Sequence, residues 1–144
     1  MGEITHPTGP VVVPLQKIAN PKGQILRAIK RSDVGFVEFG EAYFTTVHYG
    51  DIKGWKKHTL MQLNLVVPIG LVRFYVHDEH TGKTSQFTLG PEQYGRLTVP
   101  PGFWVAFEGC HPELNLVLNV ASIEHDPAEA INVALETYPL ECPE

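Results

Sequence analysis

Short apolar runs rich in β-branched and aromatic residues recur between turn signals along almost the whole chain, at the spacing of an all-β sandwich or barrel. The pattern predicts strands at 11–15, 25–29, 36–39, 43–48, 52–58, 62–67, 72–77, 86–89, 95–99, 104–107 and 114–120. Pro68-Ile69-Gly70 separates two apolar strands, Thr81-Gly82-Lys83 breaks a hairpin, and Pro100-Pro101-Gly102 forbids ladder pairing, because proline offers no N–H and glycine turns freely. Near the end the period changes. Asp126-Pro127-Ala128-Glu129 reads as an N-cap, a proline at the first helical position and a capping-box acid. Ala130, Ile131, Ala134 and Leu135 follow at helical spacing, which predicts one short C-terminal helix packed on the outside of the barrel.

The 144 residues, 43% hydrophobic and 19% charged, suit a single globular domain spanning 1–144 with a buried core at about 36–122. No apolar run approaches the roughly 20 residues that cross a bilayer, and MGEITHPTGP lacks a signal peptide's layout. Cys110 and Cys142 follow no metal or redox spacing; two reduced thiols in a cytoplasmic protein are expected. The net charge of −5 argues against a nucleic-acid partner. All 11 Lys and Arg residues lie between Lys17 and Arg96, so any anionic ligand must find its cations in the middle of the chain. Lys53, Lys56, Lys57 and His58 form the densest group, readable as a ligand-binding mouth or as a charged sheet edge.

Alternation along strands sharpens the choice of candidates. Lys56 and His58 share one strand face. If that face is buried, burial and mutual repulsion disfavour protonation of both, leaving His58 free to act as a general base and Lys56 to stabilise an enolate oxygen or phosphate. Lys56 could equally hydrogen-bond core polar groups or face solvent at the barrel mouth. On the next strand Gln62, Asn64 and Val66 are expected to face inward, with Asn64 orienting a sugar hydroxyl or satisfying a bulge. Arg73, Tyr75 and His77 alternate with Val72, Phe74 and Val76; one set meets a core and the other a pocket or solvent. Arg73 is a candidate diphosphate partner, since its planar fork binds phosphate through two nitrogens. Tyr43 and His48 lead into the lysine group and are expected to line the mouth. Trp55 and Trp104 suit stacking on a base, or burial in a core or interface. His6, His80, His111 and His125 read as surface residues.

Two segments resemble the paired signatures of the cupin superfamily. Gly50, Lys56-Lys57-His58, Gln62 and Gly70 match the first, and Gly95, Pro100 and Gly102 match the turn of the second. Lys56, Gln62 and Val105 occupy positions where metal-binding cupins carry ligands, so only His58 retains a ligating side chain, and no metal is expected. The stretches Ile52-Lys53-Gly54-Trp55-Lys56-Lys57-His58, Asn64-Leu65-Val66-Val67-Pro68-Ile69-Gly70 and Leu97-Thr98-Val99-Pro100-Pro101-Gly102-Phe103-Trp104 look like the dTDP-4-dehydrorhamnose 3,5-epimerases and the related dTDP-sugar 3,4-ketoisomerases. The likeness covers roughly 36–127. It implies an all-β double-stranded β-helix, a jelly-roll barrel, homodimeric and free of cofactors. The implied activity is epimerisation or ketoisomerisation of a dTDP-4-keto-6-deoxyhexose-like, nucleotide-linked sugar in deoxysugar or surface-polysaccharide synthesis. By this resemblance His58 matches the ketoisomerases' second histidine, and Lys56 stands where the epimerases place their base. The epimerases' lysine falls near Leu63 and their tyrosine near Leu118, with Asn119 beside it. The C-terminal region that gives the epimerases a carboxylate partner is shorter here or missing. The catalytic candidates are therefore His58 and Lys56, with Lys53, Asn64, Arg73, Tyr75, Tyr43, His48 and Asn119 as substrate contacts. A catalytically degenerate cupin that binds a sugar nucleotide or a partner protein is the alternative.

Overall fold

A computed structural model describes residues 7–141; His6 and Cys142 lie outside them. Among the described residues twelve strands run in chain order: β1 (Val11–Pro14), β2 (Lys17–Ile18), β3 (Ile25–Leu26), β4 (Glu41–Thr46), β5 (Ile52–His58), β6 (Leu63–Ile69), β7 (Val72–Asp78), β8 (Lys83–Leu89), β9 (Gly95–Val99), β10 (Trp104–Gly109), β11 (Leu116–Ala121) and β12 (Ala130–Asn132). Two five-stranded antiparallel sheets face each other, in the orders β1-β9-β6-β11-β4 and β12-β5-β10-β7-β8, and β2 pairs with β3 apart from them. This is the jelly-roll arrangement that the resemblance implies.

Between the sheets lies one apolar core, built from alternate residues of each strand: Leu63, Leu65 and Val67 on β6, Val72, Phe74 and Val76 on β7, Leu97 and Val99 on β9. The expected inward set on β6 is therefore reversed. Gln62, Asn64 and Val66 point away from the core, and the reason is a belt of chain that roofs the first sheet. Gln62 Nε2 and Asn64 Nδ2 donate to the Gly35 carbonyl at 2.6 and 3.1 Å, and Thr98 Oγ1 donates to Asn64 Oδ1 at 2.7 Å. Arg96, 1% exposed, donates to the carbonyls of Ala28 and Val34 at 2.9 and 2.8 Å and faces Asp33 at 3.4 Å. Gly35 sits at φ +99°, and a Cβ there would lie 2.8 Å from Thr98 Oγ1, so the belt comes this close only through glycine. Residues 36–39, expected as a strand, belong to this belt and join no ladder.

A second apolar cluster covers the outer face of the other sheet. Trp55, Tyr75, Trp104 and Ala106 are packed there beneath Val133, Leu135, Tyr138 and Leu140. The helix expected after Asp126 is thus confined to a single 3-10 turn, Pro127–Glu129, with Asp126 capping the Ala128 N–H at 3.0 Å. Beyond it the chain is extended as β12, which pairs with β5, and after a second 3-10 turn at Leu135–Thr137 it continues as a strap. Ladder bonds to β5 and the apolar contacts of the strap outweigh a weak helical period. Among the described residues no helix is long and apolar enough to cross a membrane.

Candidate functional site

The open end of the core holds a cavity of about 390 Å³. β5 supplies its cations by an irregularity. Val105 pairs with Lys56 and Phe107 with Lys53, so two steps along β10 match three along β5. The extra residue is a β-bulge, which re-aims side chains, and it brings Lys53 to the cavity side together with Lys56 and His58. Gly54 lies within the bulge at φ +145°, and a Cβ there would collide with Ala106. Lys57 points the other way, to Glu79 at 2.6 Å and over the Trp104 ring at 5.1 Å.

His58 is held by a partner the sequence reading did not assign. Its Nδ1 hydrogen-bonds Glu129 Oε1, while the amides of Leu60 and Met61 donate to Oε2 at 3.1 and 3.2 Å. The Glu129 side chain is 2% exposed and that of His58 12%. Burial alone would raise the Glu129 pKa. The hydrogen bond from His58 and those from the two amides outweigh it and hold the carboxyl below its ordinary range. An ionised carboxylate accepts from Nδ1–H, so Nε2 is the ring nitrogen left for another partner. Glu129 is the acid read from the sequence as half of a capping box; the signal was present, but its distance from His58 in the chain concealed the pairing. The C-terminal segment therefore does supply a carboxylate to the site.

Of the other expected contacts, Tyr43 and Asn119 line the cavity opposite β5. Asn119 Nδ2 donates to the Tyr43 hydroxyl at 3.0 Å, and Asn119 Oδ1 accepts from the Asn64 amide at 3.1 Å. The Tyr43 proton is then free for an acceptor in the cavity. Lys53 Nζ donates to the Thr46 carbonyl at 2.6 Å and Thr45 Oγ1 at 3.3 Å. Leu63 lines the cavity as an apolar wall.

Four expectations are corrected. Asn64 is buried under the belt, away from the cavity. Tyr75 lies in the outer cluster and donates to Glu108 Oε1 at 2.7 Å. Arg73, on the same outer face, stands 3.7 Å from Glu108. His48, its side chain 89% exposed beside Asp51, does not line the cavity. The apolar face of β7 fills the core, so its polar face had only the outside left to occupy. Asn132, which the sequence reading passed over, lines the cavity from β12. Among the described residues no three His, Cys, Asp or Glu side chains converge as a metal-binding group.

No protein-family model matches the sequence, and no curated protein matches it. Solved structures do match. A dTDP sugar isomerase from Desulfovibrio desulfuricans G20 superimposes with a TM-score of 0.85 at 29% identity, over 90% of this chain and 87% of that one. A dTDP-4-dehydrorhamnose 3,5-epimerase from Sulfolobus tokodaii gives 0.80 at 18% identity, over 90% and 80% of the two chains. A sugar 3,4-ketoisomerase from Thermoanaerobacterium thermosaccharolyticum, solved with TDP, gives 0.74 at 18% identity, over 86% and 88%. At such identity the last two establish the fold alone. The chain has a cupin fold, and the solved structures it resembles are dTDP-sugar isomerases and epimerases.

Proposed function

We propose that the protein is a metal-free isomerase of a nucleotide-linked 4-keto-6-deoxy sugar, working by proton transfer next to the ketone. The observation that carries this reading is the His58–Glu129 pair, its histidine on the cavity wall and its carboxylate buried. In the reaction, His58 Nε2 removes a proton from the carbon next to the carbonyl. The C–H electron pair becomes the enolate C=C bond, and the carbonyl π pair moves to oxygen. Glu129 steadies the imidazolium that results. Lys56 faces the same cavity and balances the charge on the enolate oxygen, a form of stabilisation that favours the transition state over the ground state. Return of the proton to carbon completes an epimerisation; its delivery to the other end of an enediol completes a ketoisomerisation. Lys53 suits a phosphate, and Tyr43 with Asn119 suits sugar hydroxyls.

Solvent exchange tests this directly. In D2O with a dTDP-4-keto-6-deoxyhexose, the protein should incorporate deuterium next to the carbonyl, read by NMR or mass spectrometry. His58→Asn should lower the exchange rate by roughly 10²–10⁴-fold, the range for a lost general base. A wild-type protein that binds dTDP but shows no exchange above buffer would leave the non-catalytic binding barrel as the function.

A further inference from the structure

β12 is short and lies at the edge of its sheet, yet it delivers a side chain to the site. In the β12–β5 ladder Asn132 stands opposite Lys56 and Ala130 opposite His58. Residues directly opposed in an antiparallel pair project to the same face, and Asn132, Lys56 and His58 all line the cavity. The intervening Ile131, 44% exposed, points away from it. Ala130 carries no polar group, whereas the next inward position offers a carboxamide. Among the described residues neither the Asn132 amide nor Lys56 Nζ has a hydrogen-bond or ion-pair partner. Lys53 Nζ, by contrast, donates to Thr45 and Thr46 and has one N–H left for a phosphate. Two unengaged donors, one charged and one neutral, thus sit side by side on adjacent strands, one register step from the base.

We propose that Asn132 is a catalytic residue that, with Lys56, forms a two-donor cradle for the carbonyl oxygen next to which His58 removes a proton. This rests on the function proposed above and adds to it a donor from outside the barrel core. The carboxamide Nδ2–H would bond weakly to the ketone and more strongly to the enolate oxygen. Its effect should therefore fall on the rate of proton transfer, with little effect on binding.

Asn132→Asp is the sharpest variant, because it keeps the shape of the side chain and its ladder position while replacing the donor with a negative charge. Exchange of the α-proton in D2O should fall by about 10²-fold or more, within the range known for losing one oxyanion donor. Affinity for dTDP, measured by calorimetry, should stay within about threefold. Asn132→Ala should lose about 10-fold or more in rate with the same small change in affinity, and Asn132→Gln should recover part of it. Either Asp or Ala exchanging at the wild-type rate overturns the proposal. So does a parallel loss of rate and dTDP affinity, which would mark a simple binding contact. Loss of rate accompanied by a lowered melting temperature in Ala but not in Asp is decided by the Asp variant. No exchange by the wild type defeats the isomerase reading and this proposal together, whereas wild-type exchange with an unaffected Asp variant defeats only the proposal.

Discussion

Glu129 carries a stabilising role as well as a chemical one. Its carboxyl is held below the ordinary carboxylate range, against burial, by His58 and by the amides of Leu60 and Met61. A group whose folded pKa is depressed contributes stability in full above its unfolded value and loses it as pH falls through the folded value. The melting temperature should therefore drop more steeply on acidification below about pH 4.5 in the wild type than in Glu129→Gln, as a series of melts from pH 3 to 7 would show. The same variant should be less stable at pH 7. At this scale the sequence was informative for His58 and Lys56, whose spacing alone puts them on one face. Lys53 was legible only as a cation. Its approach to the cavity depends on a bulge, and no residue pattern announces which strand takes the extra position. Asn64 and Tyr75 were misplaced because β6 and β7 are covered on both faces, so alternation could not tell the core from the outer cover.

Among the elements, the C-terminal strap shows most clearly how tertiary contact overrides local pattern. Tyr138 stacks on His77 with ring centroids 4.1 Å apart and meets Trp55 and Trp104 at 5.9 and 5.4 Å. Trp55 Nε1 donates to the Leu135 carbonyl at 2.9 Å, and Thr84 Oγ1 to that of Pro139 at 2.9 Å. Burial also lowers the His77 pKa, which suits a neutral ring under an aromatic cover. Tyr138→Ala should cost about 1–3 kcal/mol, less than the loss at a fully enclosed aromatic because Tyr138 is only half-buried. Denaturant titration would measure this, and tryptophan emission should move to the red as water reaches Trp55 and Trp104. Strands at 52–58 and 95–99 were read from the sequence with the bounds the structure gives. The belt at 36–39 and the extended chain after Glu129 were not. Both are held by partners distant in sequence, Arg96 and Thr98 for the belt and β5 with Trp55 for the tail.

For the whole molecule, the exposed apolar surface bears on assembly. Val11–Val13 pairs with β9 of its own barrel. The larger exposed groups lie elsewhere: Phe39 and Phe44 are each 63% exposed, with Val37 at 52%, along and beside the edge strand β4. Apolar side chains grouped at an open edge mark an interaction surface, and we expect a homodimer formed there. Light scattering at micromolar concentration should give about twice the 16.0 kDa chain mass, and Phe39→Asp combined with Phe44→Lys should shift the population to monomer. A wild-type protein that stays monomeric throughout would contradict this.

The placement of β12 has a further consequence, for solubility. These three residues occupy the outer side of β5, whose backbone N–H and C=O groups would otherwise stand open at the rim of the sheet. A long bare edge recruits strands from other chains, whereas a very short terminal strand offers little to recruit. The segment that delivers Glu129 and Asn132 thus also guards β5. A chain clipped before Glu129, or one whose tail has peeled away, would lose the carboxylate anchor of His58 and gain an adhesive edge in the same event, so that inactivation and aggregation should proceed at one shared rate.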